Sequence, residues 1–165
     1  MHTSYHIYLH IVKQFFPPVL FGNAKALDTT KDKRVTLNLT DPDSMTIDPG
    51  GDLVLDSQAD GELVFLHHPG TSHQKVTRVL LRTQVDDTLW IPTSEGHMLV
   101  VDATKNTTYK VSIPDEGFTP GSIYTEAPND SSIPSIVGLV NLDTGDIKAV
   151  ITGLGSPTGL AFIPD

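Results

Sequence analysis

No cysteine occurs among the 165 residues, which removes disulfides, thiolate nucleophiles and zinc–thiolate sites together and leaves the compartment unspecified. Cations are scarce as well. Eleven Lys and Arg stand against twenty Asp and Glu, giving a formal net charge of −9 and a pI of about 5.0. Such a chain repels a phosphate backbone at long range, and its one basic cluster, Lys31-Asp32-Lys33-Arg34, is short and contains an acid, so nucleic acid is not an expected partner. No run reaches the roughly 18 uncharged apolar residues of a membrane-spanning helix, so no membrane span is expected. Nor does any stretch sustain an apolar stripe at i, i+3, i+4 and i+7, so helices are expected to be nearly absent.

What is present is turn chemistry and short apolar alternation. Thirteen Gly and twelve Pro punctuate a chain whose length suits one domain. Residues 1–33 are unpatterned. The segment "YHIYLHIVKQFFPPVLFG" with Ala24-Lys25-Ala26 behind it has the outline of a weak signal sequence, against which stand Lys13, Gln14 and Pro17-Pro18 and the lack of a basic leader; the other reading is a leftover strand. The signal reading tilts the expected location toward secretion or the cell envelope. From residue 34 onward the apolar period is two, and Pro-Gly-Gly (49–51), Ala-Asp-Gly (59–61), Ser-Glu-Gly (94–96) and Asp-Thr-Gly (143–145) supply hairpin turns. The chain is therefore expected to be all-β, with antiparallel strands.

The phrases also recur in order. "DSMTIDPGGDLVLDSQADGELVFLHHPG" reads strand, turn, strand ending in Asp56, turn, strand, and "DDTLWIPTSEGHMLVVDATKNTTYKVSIP" repeats it with Asp102 in the place of Asp56. A looser third unit runs through Asp143, and a fourth opens at "SPTGLAFIPD". Unit starts near 43, 87, 121 and 158 are separated by about 44, 34 and 37 residues, near the roughly 40–45 of a four-stranded propeller blade. Asp56, Asp102 and Asp143 are then expected to accept hydrogen bonds from turn N–H groups.

The first of these phrases and "GLGSPTGLAFIPD" resemble six-bladed propellers of the NHL, SMP-30/gluconolactonase and strictosidine-synthase-like type. The resemblance covers residues 41–165, and its motifs specify fold rather than function. It implies a β-propeller-like array of antiparallel four-stranded blades in an incomplete ring, about three blades and the start of another. Such a chain is either a piece of a longer product or a half-ring that closes by association, and open blade edges favour self-association.

Candidate chemistry sits just before the expected innermost strands. Asp41 and Asp43 precede one, Asp86 and Asp87 the next, and equivalent positions on adjacent blades turn Asp43 and Asp87 toward a common channel mouth. Convergent carboxylates suit a hard cation such as Ca²⁺, so Asp43 and Asp87 are the expected metal ligands; the competing reading is that both cap loop N–H groups. Trp90 is either a stacking platform at the mouth or packing between blades. His67-His68 reads as a solvated turn, since neighbours on a strand point to opposite faces. The polar stretch "TEAPNDSSIPS" is a candidate contact loop. Two functions remain open. One is a non-catalytic binding or scaffold module that presents loops to a protein or small-molecule ligand and requires no cofactor. The other is a divalent-cation-dependent hydrolase of the lactonase or esterase class, as the resemblance implies.

Overall fold

The computed structural model describes residues 17–128 and 134–165. Among them lie thirteen strands in three open sheets. Strands β3 (Pro42–Ile47), β4 (Leu53–Ser57), β5 (Glu62–His67) and β6 (Lys75–Leu80) follow one another as an antiparallel meander. A hairpin of β1 (Lys25–Asp28) and β2 (Lys33–Thr36) adds to the far side of β6, β1 running parallel to it, so the first sheet has six strands in the order β2-β1-β6-β5-β4-β3. Residues 25–28, expected to be unpatterned, are thus part of the sheet, whereas the signal reading of the N-terminus rests on residues 1–16, outside the described residues.

The turns do what their composition demands. Gly61 closes the β4–β5 hairpin at φ +60°, and a Cβ there would stand 2.7 Å from the Thr83 carbonyl oxygen, so only glycine fits. Asp60 beside it accepts from the Thr40 N–H at 2.7 Å and from the Ser57 hydroxyl at 2.6 Å, fastening the preceding segment to this turn. Strand β5 is apolar almost throughout because both its faces are covered. Leu63 and Phe65 enter one core, and Val64 and Leu66 enter another beneath residues 20–39.

The second unit departs from the expected meander. Strand β7 (Thr88–Trp90) does not pair with β8 (Gly96–Asp102); its neighbour is β10 (Ile123–Ala127), followed by β11 (Ile136–Val140) and β12 (Ile147–Ile151). The hairpin of β8 and β9 (Thr107–Val111) takes its third strand from β13 (Pro157–Pro164), giving the order β13-β8-β9. Pro92, which has no N–H for a ladder, follows β7, and the chain leaves that sheet. Gly96 then admits β13: a Cβ there would lie 2.5 Å from the Ile163 carbonyl oxygen. The recurring phrases are therefore strands, but the second and third units interleave.

The three sheets stack face to face. Val54, Leu63, Phe65 and Val79 of the first pack on Ile123 and Val140 of the second, with Trp90 edge-on to Phe65 at 6.2 Å. The opposite face of the second sheet sends Tyr124 and Val137 against Met98 and Val100 of the third, joined by Phe118 and Phe162. Each such side chain, fully buried, contributes roughly 1.5–3 kcal/mol against the entropy of ordering it. Alternation along β7 and β10 thus feeds two cores at once, which fixes their register.

Candidate functional site

The edge strands β3, β7 and β13 adjoin, and carboxyl groups collect where they meet. Ser44 on β3 places Oγ 3.0 Å from Asp56 Oδ2, 3.1 Å from the Asp86 carbonyl oxygen and 3.3 Å from Asp87 Oδ1, so one hydroxyl proton is shared by three acceptors. Asp87 accepts from the Thr88 N–H at 2.9 Å and from the Leu160 N–H on β13 at 2.8 Å. Gln58 donates to Asp86 Oδ2 at 3.1 Å. Asp43 and Asp41 lie close enough to Asp86 to raise its pKa. The sequence-predicted Asp43, Asp86 and Asp87 are therefore brought together, with Asp41 at their edge. Trp90 is not among them: its ring turns into the core between the first two sheets.

Two further acids complete the cluster. Asp56 is buried with Oδ1 lacking any hydrogen-bond partner, and Glu126 is fully buried with neither carboxyl oxygen paired. Glu126 sits on β10 opposite Asp86 and Asp87, to which its backbone is bonded at 2.9 and 3.0 Å. Burial, reinforced by Asp87 and Asp86, pushes the Glu126 carboxyl up to about 9 against the nearby Gly159 N–H, although neither carboxyl oxygen has a hydrogen-bond partner. Burial likewise carries Asp56 up to about 7 against the Thr88 and Ser44 hydroxyls, and burial with the neighbouring Asp43 carries Asp86 to about 6. The neighbours that shift these three groups are all acids or hydroxyl and N–H donors. Among the described residues, no three His, Asp or Glu side chains stand as a ready metal-ligand set.

Sequence reasoning did not place Glu126 here: it lies where the strand expected over residues 121–127 overlaps the polar stretch read as a contact loop. Residues 125–127 of that stretch instead end β10, all buried, and residues 129–133 lie outside the described residues. The signal available was an acid continuing the apolar run Ile123-Tyr124.

The three repeat aspartates differ in role. Asp102, with no exposed surface, accepts from the Lys105, Gly155 and Ser156 N–H groups at 3.2, 2.8 and 3.0 Å, as expected of a turn cap. Burial opposes its ionisation, but these donors hold its carboxyl below the usual range. Asp102→Ala is expected to lower the thermal midpoint on the order of 5 °C or more, read by circular dichroism, because three donors lose their acceptor. Asp56 keeps company with acids instead of turn donors. In the third unit the capping falls to Asn141, whose Oδ1 accepts from Asp143 and Thr144, rather than to Asp143.

His67 is also not the solvated turn residue expected. Its Nδ1 lies 2.5 Å from Asp52 Oδ2 and its Nε2 3.0 Å from Thr77 Oγ1, with the ring stacked on Phe65, so it ties β5 to β6 and to the residue just before β4. His68, at φ +51°, forms the turn.

These features define an all-β protein of open, mainly antiparallel sheets with a carboxyl cluster where the edge strands β3, β7 and β13 meet. Compared with known proteins, the chain matches no protein-family model, no curated protein and no solved structure. No helix among the described residues is long and apolar enough to cross a membrane.

Proposed function

We propose that the chain is a non-catalytic binding module whose ligand, a Ca²⁺ ion or the cationic group of a small molecule or protein, is taken at the carboxyl cluster. In this reading the three sheets are neighbouring blades of a propeller-like array, and β3, β7 and β13 line its channel. The observation that carries it is the pair of buried carboxyls, Asp56 and Glu126, whose unpaired oxygens adjoin Asp86 and Asp87. Buried polar atoms without partners are costly, and a cation would satisfy them. The second reading, a divalent-cation-dependent hydrolase, draws on the same acids: Asp43, Asp86 and Asp87 would help hold Ca²⁺, which supplies Lewis-acid polarisation of an ester carbonyl.

The test is thermal melting at pH 8 with millimolar CaCl₂ or putrescine, matched in ionic strength with NaCl. A ligand at about 100 times its Kd stabilises the folded state by about 2.7 kcal/mol, so the midpoint should rise. Asp87→Asn and Glu126→Gln should each abolish the rise. No rise with either cation overturns the proposal, and cation-dependent turnover of an aryl ester or lactone would favour the hydrolase over the binding module.

A further inference from the structure

One row of side chains across the first sheet plays no part in the carboxyl cluster. Asp52, just before β4, His67 on β5 and Thr77 on β6 stand side by side, and the bonds along the row have a direction. A carboxylate can only accept, so in the neutral imidazole the proton sits on Nδ1, which donates to Asp52 Oδ2 at 2.5 Å, and Nε2 is left to accept from the Thr77 hydroxyl at 3.0 Å. The His68 N–H donates to Asp52 Oδ1 at 3.3 Å and holds the carboxylate in turn. Burial opposes ionisation of Asp52, but the bonds from His67 and His68 outweigh it and keep its carboxyl below the usual value. Orienting acid, base and hydroxyl therefore stand in the order that activates a hydroxyl as a nucleophile.

A strut sealed in a core would serve structure alone, but this row is open. The His67 side chain is 33% exposed. Thr77 pairs with Phe65 and lies two positions from Val79, both of which face the second sheet, so its side chain is on that face too. There it lines a cavity of about 410 Å³, walled by Phe65, Val79 and Leu142, with Thr29 and the exposed Asp143 as its polar part. We infer that Thr77 is an acyl acceptor, a modification site that takes the acyl group of an activated ester or thioester bound in this cavity. Thr77 Oγ1 attacks the carbonyl carbon while its proton passes to His67 Nε2. The bond from that carbon to the leaving oxygen or sulfur then breaks, and His67 returns the proton, so the products are an ester on Thr77 and a free phenol or thiol. Strand β6 is laddered on both sides, by β5 and β1, so its N–H groups are not free to hold an oxyanion. The donor must therefore be activated, and transfer stops at one acyl group, which leaves the chain a binding module without turnover. Asp143 beside the apolar wall favours an uncharged or cationic acyl group over an anionic one. None of this depends on what the carboxyl cluster binds.

The experiment is incubation of the full chain at pH 8 with p-nitrophenyl acetate, followed by peptide mass spectrometry. Lysine amines also acetylate, so the rate is read at the peptide carrying Thr77, and circular dichroism confirms that each variant is folded. Wild type is expected to gain one acetyl on Thr77, kept in Thr77→Ser and lost in Thr77→Val. His67→Gln should slow labelling of Thr77 by at least about 100-fold, the size of a general-base contribution. Asp52→Asn, which frees the ring to take the wrong tautomer, should slow it by at least about tenfold. Absence of an acetyl on Thr77, an equal rate in His67→Gln, or labelling of an exposed hydroxyl such as Thr119 as fast as Thr77 would each overturn the inference.

Discussion

Arg78→Met is expected to destabilise the protein by about 3–5 kcal/mol at pH 7, the typical penalty for removing one partner of a buried ion cluster. The guanidinium bonds Asp28 on β1 at 2.9 Å and Glu62 on β5 at 2.7 Å, and the two carboxylates are 0% and 3% exposed. Without it, two buried acids face each other with no cation between them. Burial opposes ionisation of Asp28, but Thr30 and Arg78 outweigh it and hold its pKa below the usual value; for Glu62 burial wins and the pKa is raised. The sign for Asp28 follows: its stabilisation is present above a pH of about 3.8, the unfolded value, and is lost as pH falls through its lower folded value. Urea denaturation at pH 7 reads the loss, and Arg78→Met/Asp28→Asn/Glu62→Gln should recover much of it. Strand β1 is laddered to β6 through only two residue pairs, so its amides should lose hydrogen-exchange protection first.

The carboxyl cluster should behave in the opposite sense. Glu126→Gln and Asp56→Asn are expected to stabilise the ligand-free protein at pH 8, each by roughly 1–3 kcal/mol, because a neutral amide removes the cost of taking up a proton at Glu126, or of burying the charge at Asp56, and offers N–H groups to Asp86 and Asp87. In wild type the folded pKa values of about 7 for Asp56 and about 9 for Glu126 lie above their unfolded ones. The folded state therefore holds more protons, and the stability they confer is fully present below about pH 4. It is lost as pH rises through about 7 and then about 9. At about 1.4 kcal/mol per pKa unit, the fall amounts to several kcal/mol, visible as a declining urea midpoint between pH 5 and 9. The double variant should show a flatter profile. If wild-type stability instead rises steadily over that range, the two acids are ionised and paired by something other than protons.

Strand chemistry was legible because it is local. The period-two runs, the Gly61 turn and the Asp102 cap follow from residues within a few positions of each other, and the first meander forms as read. The proximity of Asp43 to Asp86 and Asp87 was also legible, since it needs only that like positions in successive units adjoin. The exchange of β7 and β13 was not. Which sheet a three-residue strand joins is decided by long-range packing of Leu89 and Trp90 into different cores, and both candidate partners have the same alternation. Glu126 was missed for a related reason. Burial of a polar residue at the end of a strand depends on Asp87 and β13 covering it, and neither is near in sequence. His67 looked solvated because Asp52 and Thr77 approach it only across the ladder.

Interleaving has a consequence for how the chain is made. The six-stranded sheet needs nothing beyond residue 80, so it can assemble on the ribosome as soon as that stretch has emerged. The β8–β9 hairpin must wait, half-paired, until residues 157–164 are synthesised, with Met98 and Val100 open to the wrong neighbour meanwhile. Its vulnerable interval in the cell is therefore set by translation speed over the intervening codons, not by the hairpin's own folding rate.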